Sequence, residues 1–137
     1  MKIVLDTNVL VSGLLNSFGA PGEIVRMLSS GTLQLCYDAR ILSEYSEVLL
    51  RPKFAFEKSA VEALLEEAKA SGVAVAAEPL VWRLPDPDDE PFLEVAVAGG
   101  VKYLVTGNTK HFPASKTAHT PIQIVSPAKF LEIYRKA

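Results

Sequence analysis

Three consecutive apolar residues, Ile3, Val4 and Leu5, run straight into an acid at Asp6, and two of the three are β-branched. A short unbroken apolar run offers water no polar face. It predicts a strand covered on both sides, as in a parallel sheet flanked by helices. The pattern returns at Leu33–Tyr37, Val73–Val75, Tyr103–Thr106 and Ile122–Val125. Between these runs the spacing predicts helices over Thr7–Leu15, Glu23–Ser30, Ala39–Leu50, Ser59–Ala70 and Ala128–Lys136. A further helix opens at Asp88 or Asp89 and runs to about Ala98, with Pro91 in the first turn, where no intrahelical donor is lost. Gly31 stops the second helix, Pro52 follows the third, and Gly72 takes the left-handed C′ place of the fourth. Glu78–Pro87 holds three prolines and reads as a loop.

Strands that alternate with helices predict an α/β sandwich around a parallel sheet. The length of 137 residues suits one domain, and no repeat or linker divides it. A single cysteine, Cys36 in an apolar run, permits no internal disulfide and reads as a buried, inert thiol. The N-terminus lacks the layout of a signal peptide, and no stretch is long and apolar enough for a membrane span, so cytoplasmic residence is expected. Fourteen Lys and Arg against sixteen Asp and Glu give a net charge of −2. That argues against nucleic-acid binding through a broad basic surface, though not against a nuclease that grips phosphate through bound cations.

Ligands of parallel α/β sheets bind beyond the carboxyl ends of the strands. The first strand ends in Asp6-Thr7-Asn8 and the fourth in Thr106-Gly107-Asn108. The helix leading into the fourth strand opens with Asp86, Asp88, Asp89 and Glu90. In Ala39–Leu50, Glu44 shares a face with Ile41 and Val48, so a carboxylate interrupts an apolar stripe. That placement is costly unless the charge is paired or binds metal. Asp6, Glu44, Asp89 and Asn108 form an all-oxygen set suited to Mg²⁺ or Mn²⁺, and a cation would relieve the repulsion among the acids. Each residue also has a structural role open to it. Asp6 and Asp88 can cap helices, Asp89 can favour a helix N-terminus, Glu44 can pair with Arg40 or Arg51, and Asn108 can serve a turn.

In their order and surroundings these segments resemble the PIN-domain family, in particular its small stand-alone toxin-type members. The matching pieces are Val4–Leu10, Leu42–Tyr45 with Leu49–Phe54, Asp86–Ala96 and Val105–Pro113. The resemblance implies a three-layer α/β/α sandwich with a five-stranded parallel sheet and an acidic pocket for one or two divalent cations. It implies Asp6, Glu44 and Asp89 as metal ligands, with Asn8 and Thr106 in support. Asn108 stands where the family usually has a fourth acid, and its amide oxygen supplies no charge. The implied reaction is cation-dependent hydrolysis of single-stranded or structured RNA, leaving a 5′-phosphate and a 3′-hydroxyl. The implied partners are a cognate antitoxin, which commonly inserts a basic side chain into the acidic pocket, and a second copy of the chain.

Arg51, Lys53, Phe54 and Phe56 form a basic, aromatic loop able to grip phosphate and stack bases, and Lys110 lies just past Asn108. The bland alternative makes the two phenylalanines core. Lys110 and His111 could touch a phosphate, although a lone His near a turn is more often structural, and Trp82 reads as packing over the core or as a partner-facing anchor. Two other functions compete. A dehalogenase-type phosphatase also starts with a strand ending in Asp, but its proton-donor Asp would fall on Asn8. A binding protein could keep the fold and pocket and act by association with RNA or a partner chain.

Overall fold

In the computed structural model of the chain, which describes residues 1–118 and 120–137, β1 (Lys2–Leu5) lies at the centre of a five-stranded sheet. The remaining strands are β2 (Gln34–Tyr37), β3 (Val73–Ala74), β4 (Tyr103–Val105) and β5 (Gln123–Val125), in the order β3-β2-β1-β4-β5. Every pairing is parallel. Ile3, Val4 and Leu5 are fully buried, and so are Leu104 and Val105 beside them, as expected of strands covered on both faces.

Among the described residues, seven helices connect and cover the strands. They are α1 (Thr7–Leu15), α2 (Ala20–Ser29), α3 (Ala39–Leu49), α4 (Lys58–Ser71), α5 (Glu90–Gly99), α6 (Ala114–Thr117) and α7 (Pro127–Lys136). Helix α5 lies across β1, β2 and β4, while α2 packs against α1, α4 and α7. Aromatic rings lock the layers. Tyr103 of β4 meets Phe130 of α7 edge-to-face at 5.8 Å, and Tyr45 of α3 meets Phe92 of α5 at 6.3 Å.

The expected elements are all present, with local differences. Helix α2 begins three residues earlier than expected, because Pro21 sits in its first turn, where proline is tolerated. Single 3₁₀ turns at Pro52–Phe54 and Thr109–His111, together with α6, occupy stretches read as irregular, and a third at Pro87–Asp89 stands where the next helix is expected to open. Gly72 corrects its assigned role. Its φ of −91° is not left-handed, so it is no C′ residue in the predicted sense. A Cβ there would lie 2.4 Å from the Leu35 carbonyl oxygen and 2.6 Å from that of Ala68. The residue is needed because α4 turns into β3 against the backbone of β2. Gly72→Ala is therefore expected to cost at least about 2 kcal/mol, read from the urea unfolding midpoint, because backbone atoms must shift. A loss under 0.5 kcal/mol, on the order expected at an open surface site, would contradict it.

The segment from Ala76 to Asp86, without regular structure, is fastened to α5 by two glutamates one helical turn apart. Glu94 accepts from the Leu80 N–H at 3.1 Å and from Arg40 Nη1 at 2.7 Å. Glu90 accepts from the Leu84 N–H at 3.0 Å and from Arg83. Both carboxylates are buried, and these bonds offset the cost of burying charge. Cys36 is buried and free, as expected. Among the described residues no helix is long and apolar enough to cross a membrane.

Candidate active site

The chain builds outward from β1 to β2 and β3, then returns to add β4 and β5 on the other side. Strands β1 and β4 therefore flank the point where strand order reverses, the usual place for a ligand crevice in such sheets. Leu5 pairs with Val105, so the next residues, Asp6 and Thr106, emerge side by side at the carboxyl edge.

Asp6 is only 5 % exposed and stands at the N-terminus of α1, yet its side chain makes no capping bond. The Thr106 hydroxyl donates to its Oδ2 at 2.8 Å and the Asn8 amide donates to the same oxygen at 3.3 Å. Asn8 also accepts from the Gly107 N–H at 2.9 Å, and Thr106 Oγ1 from the Asn108 N–H at 3.1 Å. Asn8 and Thr106 thus brace the ends of β1 and β4 against each other and hold one face of the Asp6 carboxylate.

Glu44 comes from α3. Its neighbour Tyr45 is buried and donates its hydroxyl to the Leu5 carbonyl, pinning that helix to the end of β1. Glu44 does not pair with Arg40, which bridges Asp38 and Glu94, nor with Arg51, which makes a bidentate pair with Glu47. Its Oε2 instead accepts from the Thr7 hydroxyl. Thr7 carried no role in the sequence reading; its signal was its position directly after Asp6.

Asp89 ends the 3₁₀ turn Pro87–Asp89 and opens α5. The cap of this turn is Asp86, whose Oδ1 accepts from the Asp88 N–H at 2.9 Å, so the capping role expected of Asp88 belongs to Asp86. Asp89 is 8 % exposed and makes no capping bond. His111 Nδ1 lies 3.2 Å from its Oδ2, but off the line of a hydrogen bond, so that oxygen is buried without a hydrogen-bond partner.

These side chains share one open cleft of about 410 Å³. Five carboxylates line it, Asp6, Glu44, Asp86, Asp88 and Asp89, with His111 and no Lys or Arg. Val48, predicted to share a face with Glu44, lines it too. Burial pushes the Asp89 carboxyl up to about 6, helped by the nearby charge of Asp6 and opposed by His111. Burial also raises Asp6, against the hydrogen bond from Thr106. Glu44 is raised by burial and by Asp6, against the bond from Thr7. Like charges gathered with no Lys or Arg among them, and with only His111 beside Asp89, are what a divalent cation would relieve. The donors fit a hard cation in kind and charge. Among the described residues, no three His, Cys, Asp or Glu side chains are gathered closely enough to hold an ion as they stand.

The remaining expected residues are placed differently. Asn108 does not line the cleft; its amide Nδ2 meets His111 Nε2 at 2.9 Å, and His111 faces the acids in its stead. Lys110 lines a neighbouring groove with Phe112 and Ile124. Arg51 is exposed and engaged by Glu47. Lys53 lies 5.1 Å from the Phe54 ring centre, and Phe54 forms part of the cleft wall. Ala55, with a left-handed φ of 54°, reverses the chain so that the half-buried rings of Phe54 and Phe56 stack at 5.5 Å. The largest cleft among those described, about 570 Å³, lies elsewhere, between Leu80, Trp82, Val97 and Pro121. Its lining is mostly apolar, with no gathering of acids. Trp82 is half-buried and packs against the core.

The parallel sheet, its order and the acidic cleft at its switch point define a PIN domain. The PIN domain family model matches residues 2–110, and the chain belongs to that family, whose members are generally nucleases. An uncharacterized protein of Methanocaldococcus jannaschii is 28 % identical over 147 aligned positions, which cover 99 % of this chain and 93 % of the relative. The fold is similar to a chain in the crystal structure of VapBC2 from Rickettsia felis bound to a DNA fragment from their promoter. That likeness has a TM-score of 0.54 at 13 % identity and covers 92 % of this chain and 98 % of the other. Family membership sets the phosphatase reading aside, and Asn8 acts as a brace between strand ends.

Proposed function

We propose that the chain is a divalent-cation-dependent ribonuclease and the toxin of a toxin–antitoxin pair, acting in the cytoplasm. The observation that carries the reading is a cleft lined by five carboxylates and no Lys or Arg, with Asp6 and Asp89 buried and an Asp89 oxygen orphaned, at the switch point of a PIN fold. Asp6, Glu44 and Asp89 would hold Mg²⁺ or Mn²⁺. When bound, the cation supplies Lewis acidity toward the attacking water and neutralises charge developing on the phosphate. Thr106, Asn8 and Thr7 keep the carboxylates in place. Phe54 offers a ring at the cleft wall for an unpaired base, with Lys53 beside it for phosphate, and Arg51 and Lys110 extend the contact outward. The negative cleft complements a basic side chain, so the antitoxin is expected to reach into it with Arg or Lys; the active form is proposed as a homodimer.

The test is incubation of purified chain with single-stranded RNA in Mg²⁺, Mn²⁺ or EDTA, followed by analysis of the new ends. Cleavage that needs the cation and leaves 5′-phosphates is expected. Cleavage indifferent to EDTA would reject the reading. One observation favours a second function: Asn108, in place of an acid, is turned away from the cleft. RNA bound tightly without any cleavage would select the binding protein.

A further inference from the structure

We propose that His111 completes the cation site through Nδ1, and that Asn108 acts as the partner that orients its ring. The proposal deepens the cation-dependent reading above and rests on it.

The backbone makes the pairing. Asn108 and His111 bracket the 3₁₀ turn Thr109–His111, with the His111 N–H donating to the Asn108 carbonyl at 3.1 Å. Side chains three residues apart on such a turn eclipse one another, so the amide and the imidazole are brought together. The Asn108 N–H to Thr106 Oγ1 bond fixes the start of the turn against the residue that also holds Asp6. The outcome is a ring with one nitrogen on Asn108 and the other beside the cleft acids. Nδ1 stands 3.2 Å from Asp89 Oδ2, the buried oxygen that has no hydrogen-bond partner. His111 is half exposed at the mouth, open to an incoming ion.

An imidazole ligand needs its second nitrogen protonated and held, which fixes the tautomer and the ring plane. An asparagine can do this and is not limited to it. With Oδ1 toward the ring, the amide accepts Nε2–H and leaves the Nδ1 lone pair facing the cleft. With Nδ2 toward the ring, as here, it donates to Nε2. One residue thus serves the ring with or without an ion, and a carboxylate could serve only the first state. The residue that looks like a lost acid becomes the support of a nitrogen donor. A nitrogen in an oxygen set raises affinity for transition ions relative to Mg²⁺.

The experiment uses the full-length protein loaded with Mn²⁺, with electron spin-echo modulation as the readout. Wild type is expected to show ¹⁴N modulation from a directly bound imidazole, which becomes a ¹⁵N pattern when histidine alone is ¹⁵N-labelled. In His111→Gln the modulation should vanish. Mn²⁺ affinity should then fall about tenfold, and Mg²⁺ affinity by about twofold or less. Asn108→Ala, which keeps the ring, should weaken Mn²⁺ binding by a similar factor. Mn²⁺ bound by wild type without nitrogen modulation would overturn the proposal and leave the carboxylate site standing. Failure of wild type to bind Mn²⁺, or binding indifferent to Asp6→Asn, would remove the site itself and the proposal with it. The labelled wild type decides the question even if a variant fails to fold.

Discussion

Asp6→Asn is expected to lower cation-dependent RNA cleavage by at least about a hundredfold while the protein stays folded. Loss of a residue that merely orients a metal ligand costs ten- to a hundredfold, and removal of a ligand's own charge should cost no less. The fold should survive because the amide is isosteric. Its oxygen can take the two donors now aimed at Oδ2, from Thr106 and Asn8, with the NH₂ left to the cleft. One member of a crowded set of negative charges also disappears, so the cation-free variant should melt no lower than wild type. Initial rates on end-labelled RNA with Mn²⁺, beside circular-dichroism melting in EDTA, measure both halves. Activity within threefold of wild type would place the chemistry elsewhere.

The second large effect couples pH, cation and stability through Asp89. Its folded-state carboxyl is raised from 3.8 to about 6, so the folded chain binds the proton more tightly than the unfolded one. Stability of the cation-free protein should therefore fall as pH rises from about 4 through 6, with the loss complete above that range. A shift of this size sets an upper bound of about 3 kcal/mol, which access of solvent to the open cleft reduces to about 1–2 kcal/mol. At pH 7 a divalent cation at a hundred times its dissociation constant should return about 2.7 kcal/mol. At pH 5 it should return less, because protons compete for the same oxygens. Asp89→Asn should flatten both dependences. Melting temperatures across pH 5–7 in EDTA and in Mn²⁺ provide the measurement. Identical pH profiles for wild type and variant would show that Asp89 is not the coupled group.

Strand positions were legible because a run such as Ile3-Val4-Leu5 has one comfortable environment, and the helices followed from spacing. The carboxylates were legible because Glu44 breaks an apolar stripe, and because Asp6 and the acids near 89 fall at ends that a parallel sheet must gather on one edge. What eluded the sequence was short-range and geometric. Gly72 looks like any helix-ending glycine until the carbonyls of Leu35 and Ala68 appear beside it. Asp86 and Asp88 are equivalent as caps until the 3₁₀ turn chooses between them. Asn108 and His111 are three apart, a spacing that means little in a loop and places two side chains together in a 3₁₀ turn. Lys110, between the two, lines the neighbouring groove for the same reason.

The two glutamates that hold Ala76–Asp86 against α5 divide that segment into positions of unequal freedom. What they grip in the segment is the main-chain N–H groups of Leu80 and Leu84, which any residue other than proline presents at the same points, together with the Arg83 side chain on Glu90. Between those anchors Val81 projects almost wholly into solvent, and Arg83 is exposed. At Val81 the outward surface can therefore be rewritten without disturbing either anchor, whereas Trp82 packs against the core and Arg83 is tied to Glu90. A substitution at Val81 alters the exposed face of the chain while the acids of the cleft stay where they are.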